Sequence, residues 1–151
     1  MKRHQLFWEV CEILHCSERK KQAAHLPRQY GTEDWLYMRE IHTIQLVGTY
    51  EGLSLNELVD KAYRTKPTMS LLVNKLEKQG FIRKEKDYED RRRTNLFLTK
   101  KGQKVFQYHD DLDQREYGKF LKDLTDISDE ELATTQKVLA RIIEAQHKLN
   151  N

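Results

Sequence analysis

Proline, glycine and cysteine are scarce in this chain, which also has no long apolar run. Its 151 residues include 2 prolines, 6 glycines and 2 cysteines. Since few residues break helices and apolar residues recur at the helical period, helices should dominate. No apolar run approaches the roughly 18 residues of a membrane span, and the first residues lead into a charged helix rather than a signal sequence. We therefore expect a mainly α-helical, cytoplasmic protein.

The residue patterns of enzymes are also missing. The chain has no glycine-rich phosphate loop and no nucleophile beside a base, and its acidic pairs fall on predicted helix surfaces. A length of 151 residues suits one domain, residues 1–151, better than two catalytic lobes. We expect a single domain that is not an enzyme.

Positive charge is concentrated in the middle third. Between Lys61 and Lys104 there are 14 Lys and Arg residues and 5 Asp and Glu residues, a balance of +9 in a chain whose net charge is +3. A basic block in an otherwise acidic chain is typical of polyanion binding, because Lys and Arg release the counterions condensed on phosphates. A solvated basic surface is the alternative.

Capping signals and apolar periodicity predict six helices and one β-hairpin. Ser54 with Glu57, and Ser128 with Glu131, form capping boxes, and Thr32 and Thr99 are further N-cap candidates. The predicted helices cover about residues 2–25, 33–50, 55–62, 65–79, 99–124 and 128–149, and the predicted strands cover residues 81–86 and 94–98.

The third and fourth helices and the hairpin follow the order of a winged helix-turn-helix, at about residues 54–99. On the fourth helix, Met69, Leu72, Val73 and Leu76 share one face and should be core. The opposite face could enter the major groove of DNA, while the basic hairpin tip enters the minor groove. The residues expected to contact DNA are Lys66, Thr68, Ser70, Leu71, Asn74, Lys75, Asp90, Arg91, Arg92 and Arg93.

Two segments resemble the MarR-type winged-helix regulators. Residues 68–82 are similar to their recognition helix, which ends in Leu-Glu-x-x-Gly, and residues 87–102 are similar to their wing, with its Asp-x-Arg tip and Leu-Thr-x-x-Gly. The resemblance implies a mainly α fold with a small hairpin wing, and dimerisation helices at about residues 2–30 and 100–150. It also implies a homodimer that binds a near-palindromic operator in double-stranded DNA, as an effector-responsive repressor.

The resemblance assigns roles to particular residues. Arg92 would enter the minor groove and Asp90 would orient it, while Thr68, Ser70 and Asn74 would face the major groove. Leu71 departs from the pattern, since many relatives have a polar or basic residue there. A leucine can contact a thymine methyl group but cannot hydrogen-bond to guanine.

Three kinds of effector are open from the sequence. Zinc-responsive regulators of this type take histidines from the second and fifth helices, where His42 and His109 fall. Asp113 follows His109 by one turn, and imidazole with carboxylate suits Zn²⁺. A further ligand could come from His15, His25 or Glu40, and the alternative for each histidine is an ordinary hydrogen bond.

The other two kinds are redox and acyl effectors. Cys16, with Tyr30, falls near the reactive cysteine and partner tyrosine of peroxide-sensing relatives, although nearby glutamates disfavour a thiolate. Residues 40–44 resemble the second helix of the MarR-type repressors that control fatty-acid synthesis genes. An apolar cavity lined by Trp8 and Trp35, between the first, second and fifth helices, would suit an acyl or aromatic effector.

A protein-interaction module on the same fold is the alternative function. Its basic wing would bind an acidic protein instead of DNA. DNA recognition predicts a steep salt dependence and a preferred site, whereas an acidic partner predicts no operator preference.

Overall fold

The residues that the structure describes form six helices and two small antiparallel hairpins, as the sequence predicts except for the first hairpin. A computed structural model describes residues 3–22 and 26–149, without the side chains of residues 15–22. No helix in these ranges is long and apolar enough to cross a membrane. The elements are α1 (Arg3–Gln22), β1 (Arg28–Gln29), β2 (Trp35–Leu36), α2 (Met38–Thr49), α3 (Leu55–Ala62), α4 (Lys66–Lys78), β3 (Ile82–Lys86), β4 (Thr94–Leu98), α5 (Lys100–Asp123) and α6 (Asp129–Leu149).

The second helix begins later than predicted. Thr32 is not its cap, because its buried hydroxyl oxygen has no hydrogen-bond partner in the structure. Thr32 lies in the loop that joins β1 to β2, and β2 separates it from α2. Instead, the extended Tyr37 precedes α2 and its backbone N–H donates to Oε2 of Glu40 over 2.8 Å. The end predicted for the first helix, residues 23–25, lies outside the described residues.

The other helix starts follow the capping signals. Glu57 N–H donates to Ser54 Oγ over 3.3 Å, and Ser54 N–H donates to Glu57 Oε2 over 2.7 Å. The hydroxyl of Thr99 accepts from Gly102 N–H over 3.1 Å at the start of α5. Side chains that satisfy these first amides fix helix boundaries locally. The predicted bounds of α3 are therefore confirmed. Those of β4 are confirmed as well.

One apolar core lies under α4 and the hairpin formed by β3 and β4. The predicted core face of α4 is confirmed, since Met69, Leu72, Val73 and Leu76 are all buried. These residues pack with apolar side chains of α2, α3, β3, β4 and α5 in a single cluster. The core therefore fixes the opposite face of α4 toward the outside.

Several helices carry apolar side chains that this core does not cover. The structure gives α6 no buried residue within Asp129–Leu149. Burial of such surface stabilises proteins by roughly 25 cal/mol per Å², so a covering partner would have a large effect. The exposed side chains are Leu6, Phe7, Trp8 and Ile13 on α1, Tyr117, Phe120 and Leu121 on α5, and Leu132, Val138 and Ile143 on α6.

Gly102 permits close contact between α5 and the base of the hairpin. A Cβ atom added to Gly102 would overlap the carbonyl oxygen of Phe81, whereas one added to Gly118 would meet no atom within 4 Å. We expect Gly102→Ala to lower the free energy of unfolding by about 2–3 kcal/mol, because backbone must move. Gly118→Ala, in the same helix, should raise it by about 0.5–1 kcal/mol. Urea unfolding of both variants measures this, and equal effects would contradict the close packing.

Candidate nucleic-acid interface

The outward face of α4 presents short polar side chains around one leucine. Lys66, Thr68 and Asn74 are exposed, Ser70 is half-buried, and Leu71 is 72% exposed. The Thr68 hydroxyl lies 2.8 Å from that of Thr65 at the start of the helix. These side chains share one exposed face of α4, and an α-helix fits the major groove of B-DNA.

Lys75 lies on the same helix, and its ammonium group is paired with a buried carboxylate. Its Nζ contacts Oε1 of Glu40 on α2. Glu40 has no exposed surface, and its other oxygen accepts the backbone N–H of Tyr37. Because an unpaired buried carboxylate is strongly unfavourable, Lys75 has a structural partner. Lys75 therefore links α2 to α4, and its contact with DNA stays a prediction.

Lys84 on β3 is a further residue at this surface, and no local sequence pattern indicates its role. Its Nζ lies 2.6 Å from Oδ1 of Asn74 and 2.6 Å from Oε2 of Glu77. Both partners belong to α4, so Lys84 joins the hairpin to the recognition face.

The tip of the wing is folded around Asp87. Its Oδ1 accepts the backbone N–H groups of Glu89 and Asp90 over 2.9 and 3.0 Å, and its Oδ2 accepts from Nδ2 of Asn95 over 2.9 Å. These hydrogen bonds lower the pKa of Asp87 below its usual value, and the bond from the backbone N–H of Asp90 has the largest effect. An aspartate that binds the amides two and three residues ahead is a common turn pattern, and could have been found from the sequence.

The three arginines of the tip have different surroundings. The guanidinium of Arg93 donates to Oε2 of Glu57 on α3 over 3.0 Å and to Oδ1 of Asn95 over 2.8 Å, so it fastens the wing to α3. Arg91 and Arg92 are exposed, and neither forms an ion pair within residues 3–22 and 26–149. Two positive groups on a fixed turn are therefore available to an anionic ligand.

Asp90 does not orient Arg92 through its guanidinium. Its Oδ1 instead accepts the backbone N–H of Arg92 over 2.9 Å, and its carbonyl oxygen accepts the N–H of Arg93 over 2.8 Å. A short polar side chain that binds the amide two residues ahead stabilises a turn. Asp90 thus shapes the backbone from which the guanidinium of Arg92 projects.

A groove of about 420 Å³ separates the wing tip from α3. The start of α3 forms one wall, with Ser54, Leu55 and Asn56, and Lys66 and Arg92 also line it. Lys66, Arg92 and Arg93 bring positive charge to this groove and Asp90 brings a carboxylate. The first amides of α3 are already capped by Ser54 and Glu57, so the positive charge of the groove comes from its side chains.

Among the described residues, His42, His109 and Asp113 do not come together as a metal site. The rings of His42 and His109 meet edge to face with centroids 6.0 Å apart, and His109 is buried beside Tyr30. Nδ1 of His109 is 3.2 Å from Oδ2 of Asp113 without forming a hydrogen bond. In the described part of the chain, no three His, Cys, Asp or Glu side chains are grouped to hold a metal. The side chains of His15 and Cys16, and all of His25, lie outside it.

Trp8 and Trp35 do not enclose a cavity within the described part of one chain, since their side chains are 59% and 63% exposed. The effector cavity expected beside them stays a prediction. A cleft of about 320 Å³ lies between α2, α3 and the start of α4. It is lined by Arg39, His42, Thr43, Gln45, Leu46, Lys61, Ala62, Arg64 and Met69.

Comparisons with known proteins agree with this geometry. Over 150 residues the chain is 23% identical to a Bacillus subtilis (strain 168) protein described as the uncharacterized HTH-type transcriptional regulator YhjH, covering 93% of this chain and 86% of that protein. The crystal structure of Streptococcus pneumoniae FabT in complex with DNA is 24% identical, covering 95% of this chain and 99% of FabT with a TM-score of 0.65. The PcaV regulator of Streptomyces coelicolor, solved with its natural ligand, is 20% identical, covering 87% of this chain and 92% of PcaV with a TM-score of 0.62.

These similarities show the fold and, over part of the chain, a match to one family. The two solved structures show that the fold is a winged helix-turn-helix framed by long helices. Residues 36–94 match the model of the MarR family. This segment contains α2, α3, α4, β3 and the wing tip, and it ends at the first residue of β4. Over this segment the chain is similar to the MarR family of transcription regulators, in agreement with its recognition-helix and wing signatures.

The pair between Lys75 and Glu40 gives a prediction for stability. Lys75→Met leaves the buried carboxylate without a cation, so we expect the free energy of unfolding to fall by about 3 kcal/mol, the lower end of the usual cost because half of the Lys75 side chain is in water. The double variant Glu40→Gln, Lys75→Met should recover most of this loss. Urea unfolding at one protein concentration measures the three proteins.

Lys66→Met is the matched control, because Lys66 is an exposed lysine of the same helix. It should change the free energy of unfolding by less than about 0.5 kcal/mol. Equal stability of the Lys75 and Lys66 variants would contradict a structural role for the pair.

Proposed function

We propose that this protein is a repressor that binds a near-palindromic operator as a homodimer, with α4 in the major groove and the wing in the adjacent minor groove. The observation that carries the proposal is the wing tip. Asp87 and Arg93 fix its backbone, while Arg91 and Arg92 project from it without ion pairs in the described residues. Arginine is well suited to a narrow minor groove, where the negative potential is strong.

The face of α4 supplies the contacts to bases. Thr68, Ser70 and Asn74 can donate or accept hydrogen bonds, and Leu71 can pack against a thymine methyl group. Lys66, at the groove beside the start of α3, is placed for a phosphate. Asp90, Lys75 and Arg93 support these residues from behind.

A second copy of the chain is the partner proposed for the uncovered helices. The apolar side chains of α1, the end of α5 and α6 are exposed in one chain. A soluble protein rarely leaves such extended apolar surface in water. Packing of these helices between two copies would bury it and place two α4 helices on one duplex. Binding of an acidic protein by the wing is the competing function.

Arg92→Ala tests the DNA-binding proposal. Loss of a minor-groove guanidinium in each half-site should weaken operator binding by roughly tenfold or more, and should make the salt dependence less steep by about one ion per half-site. Fluorescence anisotropy on an operator selected from random duplexes measures both quantities, and sedimentation should show an intact dimer.

Arg28→Ala is the control, because Arg28 is an exposed arginine on β1. Its affinity should match that of the unmodified chain. If Arg92→Ala bound the operator with unchanged affinity, the wing would not be a DNA contact. If no duplex were preferred at any salt concentration, the acidic-protein function would be favoured.

We further propose that the effector is an anion with an apolar body, such as the acyl ligand expected for the branch that controls fatty-acid synthesis genes. The cleft between α2, α3 and α4 carries Arg39, Lys61 and Arg64 beside Leu46 and Met69. Positive groups would bind a carboxylate, and the apolar lining would cover a chain or ring. Its walls are α2 and α4, so a ligand there acts on the two helices that Glu40 and Lys75 connect.

Octanoate and octanamide distinguish the charge requirement. Octanoate should release the operator and raise the melting temperature, because a ligand that binds the folded state stabilises it. Octanamide has the same chain without charge and should do neither. Arg64→Met should weaken the response to octanoate by roughly tenfold, and equal effects of acid and amide would contradict an anion site.

A further inference from the structure

The amide of Asn74 has a fixed orientation in this structure. Nζ of Lys84 lies 2.6 Å from its Oδ1, and a lysine ammonium group can only donate hydrogen bonds. The carbonyl oxygen of Asn74 therefore faces Lys84, and its NH₂ group faces away. The assignment of oxygen and nitrogen in this side chain, often ambiguous, follows here from the chemistry of the partner.

Lys84 is itself held in place. Its Nζ also lies 2.6 Å from Oε2 of Glu77, one turn beyond Asn74 on α4. The Lys84 side chain is only 29% exposed. The carboxylate of Glu77 balances the charge of Lys84. We therefore expect Lys84 to keep its contacts with α4 when DNA phosphates are near. Asn74 is exposed on the face that carries Leu71, one turn earlier.

The fixed orientation restricts which base edge Asn74 can recognise. Bidentate recognition of adenine needs both groups of the amide, with Oδ1 accepting from N6 and Nδ2 donating to N7. Lys84 takes one of the two lone pairs of Oδ1 and holds this atom toward its ammonium group. The groups of the amide that face away from Lys84 are therefore the N–H donors. Their complements are acceptors in the major groove, O6 and N7 of guanine and O4 of thymine. Cytosine offers a donor there, and adenine places a donor beside its N7.

We propose that Lys84, on the wing strand, is a specificity-determining residue that makes Asn74 a hydrogen-bond donor. The base contacted by Asn74 in each half-site is then a keto base, guanine or thymine. The inference rests on the proposed function, because it concerns the base preference of a DNA-binding helix. A residue outside the recognition helix would then contribute to the sequence specificity of operator binding.

Selection from random duplexes by the full chain and its variants tests this. With the unmodified chain, one position in each half-site should favour guanine or thymine over adenine by roughly tenfold. Asn74→Ala should reduce that preference below about twofold. Lys84→Met should admit adenine at the same position, since the amide is then free to rotate.

Lys86→Met is the matched control, because Lys86 is a lysine of the same strand whose Nζ binds Oγ1 of Thr94 and does not touch α4. It should keep the preference of the unmodified chain. The inference is overturned if the base that depends on Asn74 is adenine or cytosine, if Asn74→Ala alters no position, or if Lys84→Met still excludes adenine.

Circular dichroism checks that each variant is folded. If Lys84→Met does not fold, the comparison of the unmodified chain with Asn74→Ala decides, because it identifies the base that Asn74 contacts. Failure of the unmodified chain to enrich any site would overturn the proposed function itself, and is seen before any variant is used.

Discussion

The ion pair between Glu40 and Lys75 is the contact on which the geometry of the DNA-binding surface depends. A carboxylate with no exposed surface is stable only when it is paired and hydrogen-bonded. Glu40 meets both needs, since it accepts the amide that begins α2 and contacts the ammonium group of α4. One residue thereby sets where α2 starts and how the recognition helix lies against it.

Some charged residues around α4 and the wing are paired within the chain, and others are available to a ligand. Lys75, Lys84 and Arg93 are each paired with a carboxylate of the chain, whereas Arg91 and Arg92 are available to a ligand. The high charge of this segment therefore overstates the number of groups that can neutralise phosphates. Electrostatic attraction brings DNA to the surface, but the supporting pairs determine which side chains reach it.

Local signals in the sequence predicted most of the fold, and distant pairings account for what they missed. The capping box of Ser54 and the apolar period of α4 act within a few residues. The sequence therefore predicts the start of α3 and the buried face of α4 correctly. Lys75 meets Glu40 across 35 residues, and no local pattern contains that contact. The exposure of Trp8 and Trp35 is a further distant effect, because no local pattern shows which other elements cover a side chain.

Hydroxyl-radical footprinting of a selected operator tests the central claim, that two copies of the chain hold two recognition helices and two wings on one duplex. We expect two protected half-sites with centres about 10–10.5 base pairs apart, or a multiple of that, related by the two-fold symmetry of the operator. Protection should extend into the flanking minor grooves, where the wings lie. A single protected half-site, or no protection at a saturating protein concentration, would contradict the claim.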